Sequence, residues 1–178
     1  INGIDWIDSI FLSTSAVCVT GLTPVDIPST LTPVGMTIVI ILIQIGGLGV
    51  MTFTSFFALF FMGNTSLYNQ VVVRDMVSSN SLGSLLSTLL YILVFTLVIE
   101  AIGAFSIWMT VHGTLGMDIE QEIAFSVFHS ISAFCNAGFS TFADGLGDVR
   151  VYHQNGIYLV ISTLIILGGI GFPILVNF

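Results

Sequence analysis

The 178-residue sequence is poor in charge, and poorest in positive charge. Charged residues make up 7% of it, against about 25% in an ordinary soluble domain. Lys and Arg together number 2, against 10 Asp and Glu, so no surface here neutralises a phosphate backbone. A soluble globule needs polar residues to cover it, and 55% hydrophobic residues with a mean hydropathy of +1.07 leave too few. These shortages exclude a nucleic-acid binder, a disordered linker and a soluble enzyme, and they leave an integral membrane protein. Cysteine is scarce as well. Cys18 and Cys135 stand far apart, with no CxxC pair and no His/Cys cluster, which argues against a zinc site. The opening residues have no basic n-region and no small-residue cleavage site, so they do not read as a signal peptide. A start at Ile1 and an end at Phe178, inside an apolar run, read as an internal piece of a longer chain.

A bilayer core about 30 Å thick takes roughly 20 helical residues. Three apolar runs are long enough: Val34 to Met62 and Ile157 to Phe178 without a charge, and Leu82 to Val111 with one, Glu100. Two others, Trp6 to Val19 and Ile123 to Phe134, have the length of re-entrant segments. Each starts near carboxylates, which suit a helix N-terminus: Asp5 and Asp8 in one, Asp118, Glu120 and Glu122 in the other. Each then runs into a glycine and a polar stretch. The expected order is half-span, span, polar loop, span, half-span, span. Eight of the ten acids flank the half-spans on one side of the membrane in this arrangement, and the loop of residues 63–81 holds only Asp75. A mouth rich in carboxylates raises the local cation concentration; a solvated rim is the plainer reading.

The half-spans repeat. Ser9 to Thr23 and Ser126 to Ser140 align at an offset of 117 with seven identities in fifteen positions. The long helices repeat too: Ile45-Gly-Gly-Leu-Gly-Val50 matches Leu167-Gly-Gly-Ile-Gly-Phe172 at an offset of 122. The unit is a spanning helix, a half-span and a second spanning helix. Residues 1–62 form a first unit without its leading helix, 63–81 a polar loop read as cytoplasmic, and 82–178 a complete second unit. In parallel repeats equivalent residues are related by an axis along the membrane normal, so Cys18 and Cys135 read as packing residues rather than a disulfide.

Non-helical backbone at membrane depth is tolerated only where protein buries it or a watery cavity receives it. A loop that enters and leaves on one side can present carbonyl oxygens to a central axis, where they replace the hydration shell of a cation. Such a loop also wants a glycine, because carbonyls facing one way need unusual φ/ψ values. The candidate loops are Val19-Thr20-Gly21-Leu22 and Asn136-Ala137-Gly138-Phe139.

With these residues in view, the chain resembles the Trk/Ktr/HKT superfamily of potassium transporters, most closely a bacterial Ktr-type membrane subunit. The residues that carry the resemblance are Ser13 to Pro24, Ile45 to Met51, Phe134 to Thr141 and Leu167 to Phe172. It implies an all-α integral membrane fold of four such units, pseudo-four-fold around one potassium pore. This chain would hold most of the first unit and all of the second, with the remaining two repeats, and the family's intramembrane gating loop, elsewhere in the same polypeptide. It implies potassium as substrate, held by filter carbonyls only, sodium as a coupling ion, no cofactor, a homodimer, a cytoplasmic nucleotide-binding ring as regulator, and a multi-pass place in the cell membrane. Each filter would carry one central glycine, matched by Gly21 and Gly138. Asn136 and Ala137, where the first loop has Val19 and Thr20, depart from strict four-fold symmetry.

Single residues take two readings each. Glu100 reads first as a hydrogen-bonded residue of an outer helix, with a pore-lining or proton-linked role as alternative. Gln44 suits interhelical bonding. Gly46, Gly47 and Gly49, with Gly168, Gly169 and Gly171, are either close-packing positions or a narrow, flexible gate below the filter. Pro173 predicts a kink. His129 is expected to pack with a satisfied hydrogen bond, and Ser13, Ser15, Ser130 and Ser132 to bond backbone around the loops. Arg74 and Asp75 read as a solvated loop or a docking surface. The competing functions are a secondary carrier using broken helices and an intramembrane enzyme. No span holds an Asp and the lone His129 follows no nucleophile motif, which disfavours the enzyme.

Overall fold

The computed structural model describes the backbone of residues 4–61 and 82–170, and the side chains of 4–49 and 90–170. Among the described residues the chain is helical, with no strand. In order come α1 (Trp6–Val17), α2 (Ile27–Thr30), α3 (Pro33–Phe61), α4 (Leu82–Val111), α5 (Ile119–Phe134), a 3₁₀ turn (Gly145–Gly147), α6 (Val149–Tyr152) and α7 (Asn155–Ile170). The polar loop 63–81 with Arg74 and Asp75, and Gly171, Phe172 and Pro173, lie outside the described residues.

Local chemistry sets the ends. Asp5 caps α1 by accepting from the Trp6 N–H at 2.8 Å, and Asp8 faces the positive end of the helix in its first turn. α5 begins at Ile119, four residues before the apolar run, because Asp118 caps it and Gln121 Oε1 accepts from the Asp118 N–H at 3.3 Å. Glu122 is therefore inside the helix and buried. Its carboxylate accepts from His112 Nδ1 at 2.8 Å and from the Gly113 N–H at 2.8 Å, joining the end of α4 to the start of α5. Those hydrogen bonds, His112 first, hold the Glu122 carboxyl below the usual carboxylate range. α4 stops where Gly113 takes φ +72°.

At 1.5 Å per residue the 12 residues of α1 and the 16 of α5 reach about 18 and 24 Å, short of a bilayer core of about 30 Å. α3 and α4 are continuous helices of 29 and 30 residues. Among the described residues one stretch, Leu90–Val111 with mean hydropathy 2.2, is long and apolar enough to cross a membrane, and Pro33–Gly49 and Asn155–Ile170 are shorter apolar helices. Large apolar side chains stand outward on them, Ile102 at 62% exposure and Leu159 at 70% among them. A soluble monomer rarely shows so contiguous an apolar face.

The helices pack as two groups. α4, α5 and α7 lie on one another around Ile107, Val111, Phe125, Phe134, Ile157 and Ile161. α1 lies on α3, and the core between them is completed by Phe128, Cys135, Ala137 and Phe139, from α5 and the loop after it. The group of α4, α5 and α7 thus seats its post-helix loop against the pair of α1 and α3.

Candidate functional site

Both short helices end in the same way. After α1, the N–H groups of Cys18, Val19 and Thr20 donate to the carbonyls of Thr14, Ala16 and Ser15 at 2.8, 3.2 and 2.9 Å. After α5, those of Cys135, Asn136 and Ala137 donate to Ile131, Ala133 and Ser132 at 2.9, 3.0 and 2.8 Å. Every donor and acceptor is displaced by 117 positions, the offset of the sequence repeat. The crossed pair of bonds is a Schellman motif, in which the residue after the cap turns left-handed. Here those residues are Val19 at φ +54° and Asn136 at φ +59°, the only non-glycine residues at positive φ among the described residues. Asn adopts that region with little penalty, whereas for a β-branched residue it is a true outlier. Two residues on, Gly21 and Gly138 both take φ +76°. Each candidate loop therefore carries a left-handed residue at its first and third positions.

The loops touch. A Cβ on Gly21 would collide with the carbonyl oxygen of Ala137 and lie 3.5 Å from the Gly138 Cα. A cavity of about 280 Å³ opens over the pair, lined by Gly21, Thr23, Asp26, Gly138, Phe139 and Ser140 among others. Leu22 is exposed, while Ala137 and Phe139 are buried. Ser132 Oγ, buried, donates to the Phe139 carbonyl at 2.8 Å and fixes the second loop to its own helix. Ser15, the matching residue of α1, is also buried, yet its hydroxyl has no partner among the described residues. The expectation that it bonds backbone is corrected: the counterpart bond to Leu22 is not made. Ser13 Oγ donates to the Ser9 carbonyl at 2.8 Å.

His129 is satisfied at both nitrogens. Nδ1 donates to the Phe125 carbonyl at 2.9 Å, which leaves Nε2 to accept from Ser140 Oγ at 3.0 Å. Ser140 Oγ in turn accepts from the Phe142 N–H at 3.1 Å. The Phe142 ring lies 5.0 Å from that of Phe125, with the Arg150 guanidinium 4.1 Å over it. Arg150 also forms a two-pronged pair with Asp148, at 2.9 and 2.8 Å. That guanidinium holds the Asp148 carboxyl down at about 2. So the segment between the second loop and α7 is a built support for the loop.

The glycine clusters separate by position. A Cβ on Gly46 would collide with the carbonyl oxygen of Val17, the last residue of α1, and one on Gly168 with that of Phe134, the last residue of α5. These equivalent contacts are the close approaches that packing at Gly46 and Gly168 would need. Gly47 makes room for Cys135, whose Sγ would stand 2.5 Å from an added Cβ. An added Cβ on Gly49 or Gly169 meets nothing within 4 Å among the described residues. Glu100, 4% exposed, lies behind the second loop: its Oε1 accepts from Cys135 Sγ at 3.8 Å. Gln44 Nε2 and Oε1 are buried without a hydrogen-bond partner among the described residues. Cys18 and Cys135 are both free thiols. Among the described residues no group of three or more His, Cys, Asp or Glu is placed to hold a metal ion.

The family model for the TrkH cation transport protein matches residues 2–178. The chain belongs to that family. This TrkH-family chain is 37% identical over 94% of its length to the potassium/sodium uptake protein NtpJ of Enterococcus hirae. It is 35% identical over 97% of its length to the Ktr system potassium uptake protein B of Bacillus subtilis, and 32% identical over 98% to that of Vibrio alginolyticus. The aligned part is 36%, 38% and 38% of those proteins, so the chain spans well under half the length of the curated relatives it matches.

Proposed function

We propose that this chain is part of a potassium uptake transporter, and that Val19 to Leu22 and Asn136 to Phe139 are two segments of its carbonyl-lined selectivity filter. One observation carries the reading: the only left-handed non-glycine residues described, Val19 and Asn136, open these two loops, each followed by a left-handed glycine. Strained backbone persists where the surroundings over-determine it, and it gathers at functional sites. A loop that turns its carbonyls toward one axis must leave the ordinary α and β regions, which is what these residues do. The abutment of Gly21 on Ala137 supports placing both loops at one axis.

In this reading the complete protein is multi-pass in the cell membrane. Two further repeats complete a pseudo-four-fold ring, and α1 and α5 are the pore helices. Potassium is the substrate and passes without covalent chemistry. Sodium is admitted as a coupling ion, in keeping with the potassium and sodium in the relatives' names. A homodimer and a cytoplasmic nucleotide-binding partner complete it, the word "system" in those names supporting more than one component. The test is rubidium and potassium uptake by the complete protein in potassium-uptake-deficient cells, comparing Gly21→Ser and Gly138→Ser at equal membrane expression. Reduced uptake or admitted sodium is expected. Normal uptake with unchanged selectivity in both variants would move the broken-helix carrier to first place.

A further inference from the structure

A carboxyl group inside a membrane helix is costly, and Leu or Met would fill the same space. Glu100 therefore calls for a reason, and its contacts supply one. Both of its polar ends hold α5 and its cap. The Glu100 backbone carbonyl accepts from Ser130 Oγ at 2.7 Å, and Oε1 accepts from Cys135 Sγ at 3.8 Å. Cys135 is the last residue before the left-handed Asn136, so its side chain is a handle on the start of the second loop. Opposite the carboxyl, Gly47 of α3 leaves a slot for Sγ, where an added Cβ would stand 2.5 Å from it. The thiol is thus fixed between Glu100 of its own unit and the helix backbone of the other.

We propose that Glu100 is a positioning residue for ion selectivity: its carboxyl oxygen, acting through the Cys135 thiol, fixes where the second loop sits against the first unit. It contacts no ion itself. The proposal rests on the filter assignment above, and it is separable from it. In a carbonyl site the ion is discriminated by where the oxygens stand. Loss of the thiol's acceptor frees that position while the fold remains.

The test uses the complete protein in potassium-uptake-deficient cells, at matched membrane expression, with rubidium uptake measured over a concentration series with and without sodium. Glu100→Ala is expected to raise the rubidium KM, or to lower the discrimination against sodium, on the order of threefold to tenfold, the value of one hydrogen bond. Cys135→Ala should do the same. The double variant should be no worse than the worse single one, because both remove one contact. Glu100→Gln keeps an acceptor oxygen and should restore the wild-type KM. Multiplying effects in the double variant overturn the proposal, as does a Glu100→Gln as impaired as Glu100→Ala. If Glu100→Ala does not reach the membrane, Gly47→Ala decides: it displaces Sγ from the other side, and an unchanged KM there overturns the proposal. Gly138→Ser separates the two assignments. If it shifts selectivity while Glu100→Ala, Cys135→Ala and Gly47→Ala do not, the positioning role fails alone. If it leaves selectivity unchanged, the filter reading fails and the proposal with it.

Discussion

Replacing Gly168 by alanine adds one methyl group at the point where α7 meets the end of α5. Ideal geometry puts that carbon against the Phe134 carbonyl oxygen, 2.8 Å from the Phe134 carbonyl carbon and 3.1 Å from Asn136 Nδ2. The obstacle is main chain, so no side chain can swing aside. Phe134 is 1% exposed, and the turn after it is closed by three backbone hydrogen bonds, so α5 does not yield either. The helices must separate. Overpacking of this kind costs about 1–3 kcal/mol, and a clash with fixed backbone belongs in the upper half of that range. Alanine in place of glycine returns about 0.8–1 kcal/mol of helix propensity. The net loss is then about 1–2 kcal/mol. Gly169, the next residue, meets nothing within 4 Å, so alanine there keeps the propensity gain alone. Adjacent substitutions of identical chemistry should therefore differ by about 2–3 kcal/mol. The assay is thermal unfolding of the purified complete protein at one scan rate, followed by intrinsic fluorescence. Gly168→Ala should unfold several degrees below Gly169→Ala, and Gly46→Ala should behave like Gly168→Ala. Equal stability of the two neighbours, or a more stable Gly168→Ala, would refute the close-packing assignment.

Other outcomes follow from the same contacts. Val19→Asn removes a β-branched side chain from φ +54° and should raise the unfolding temperature by the equivalent of about 1 kcal/mol, while Asn136→Val should lower it. Ser132→Ala should destabilise by about 1 kcal/mol and Ser15→Ala by much less, since only Ser132 has a partner; unfolding temperatures check the pair. The Asp148 carboxyl is depressed from 3.8 to about 2, so its contribution is present above pH 4 and disappears as the pH falls toward 2. Asp148→Asn should flatten that limb of the stability–pH curve, and an unchanged limb would show that the Arg150 pair carries no stability.

The parts of the molecule made by local rules were legible in the sequence. The 117-residue offset pairs the two loops, and Gly21 and Gly138 mark unusual backbone in each; the left-handed Val19 and Asn136 that open them are not announced by residue type. The caps at Asp5 and Asp118 were visible as carboxylates before apolar runs. The apolar run marks α5 only from Ile123, four residues inside it, since Glu120 and Glu122 look like a flank until His112, ten positions upstream, is seen to hydrogen-bond Glu122. α2, α6 and the 3₁₀ turn are too short to show a helical period. The roles of Gly46 and Gly168 were left open because packing and gating want the same small residue. The facing carbonyls, which favour packing, come from helices distant in sequence. The Cys135 contact of Glu100 spans 35 positions and no local pattern carries it.

The two loops share the backbone hydrogen bonds of their turns but not their side chains. Every bond that shapes the turn runs from one main-chain group to another, so the bend is inherited with the helix and not with particular residues. A duplicated unit built this way is free to drift. Val may stand where its sister has Asn, or Thr where it has Ala, and the curvature survives the change. Copies of one ancestral segment can then acquire unlike chemistry at matching places, with their geometry still in common.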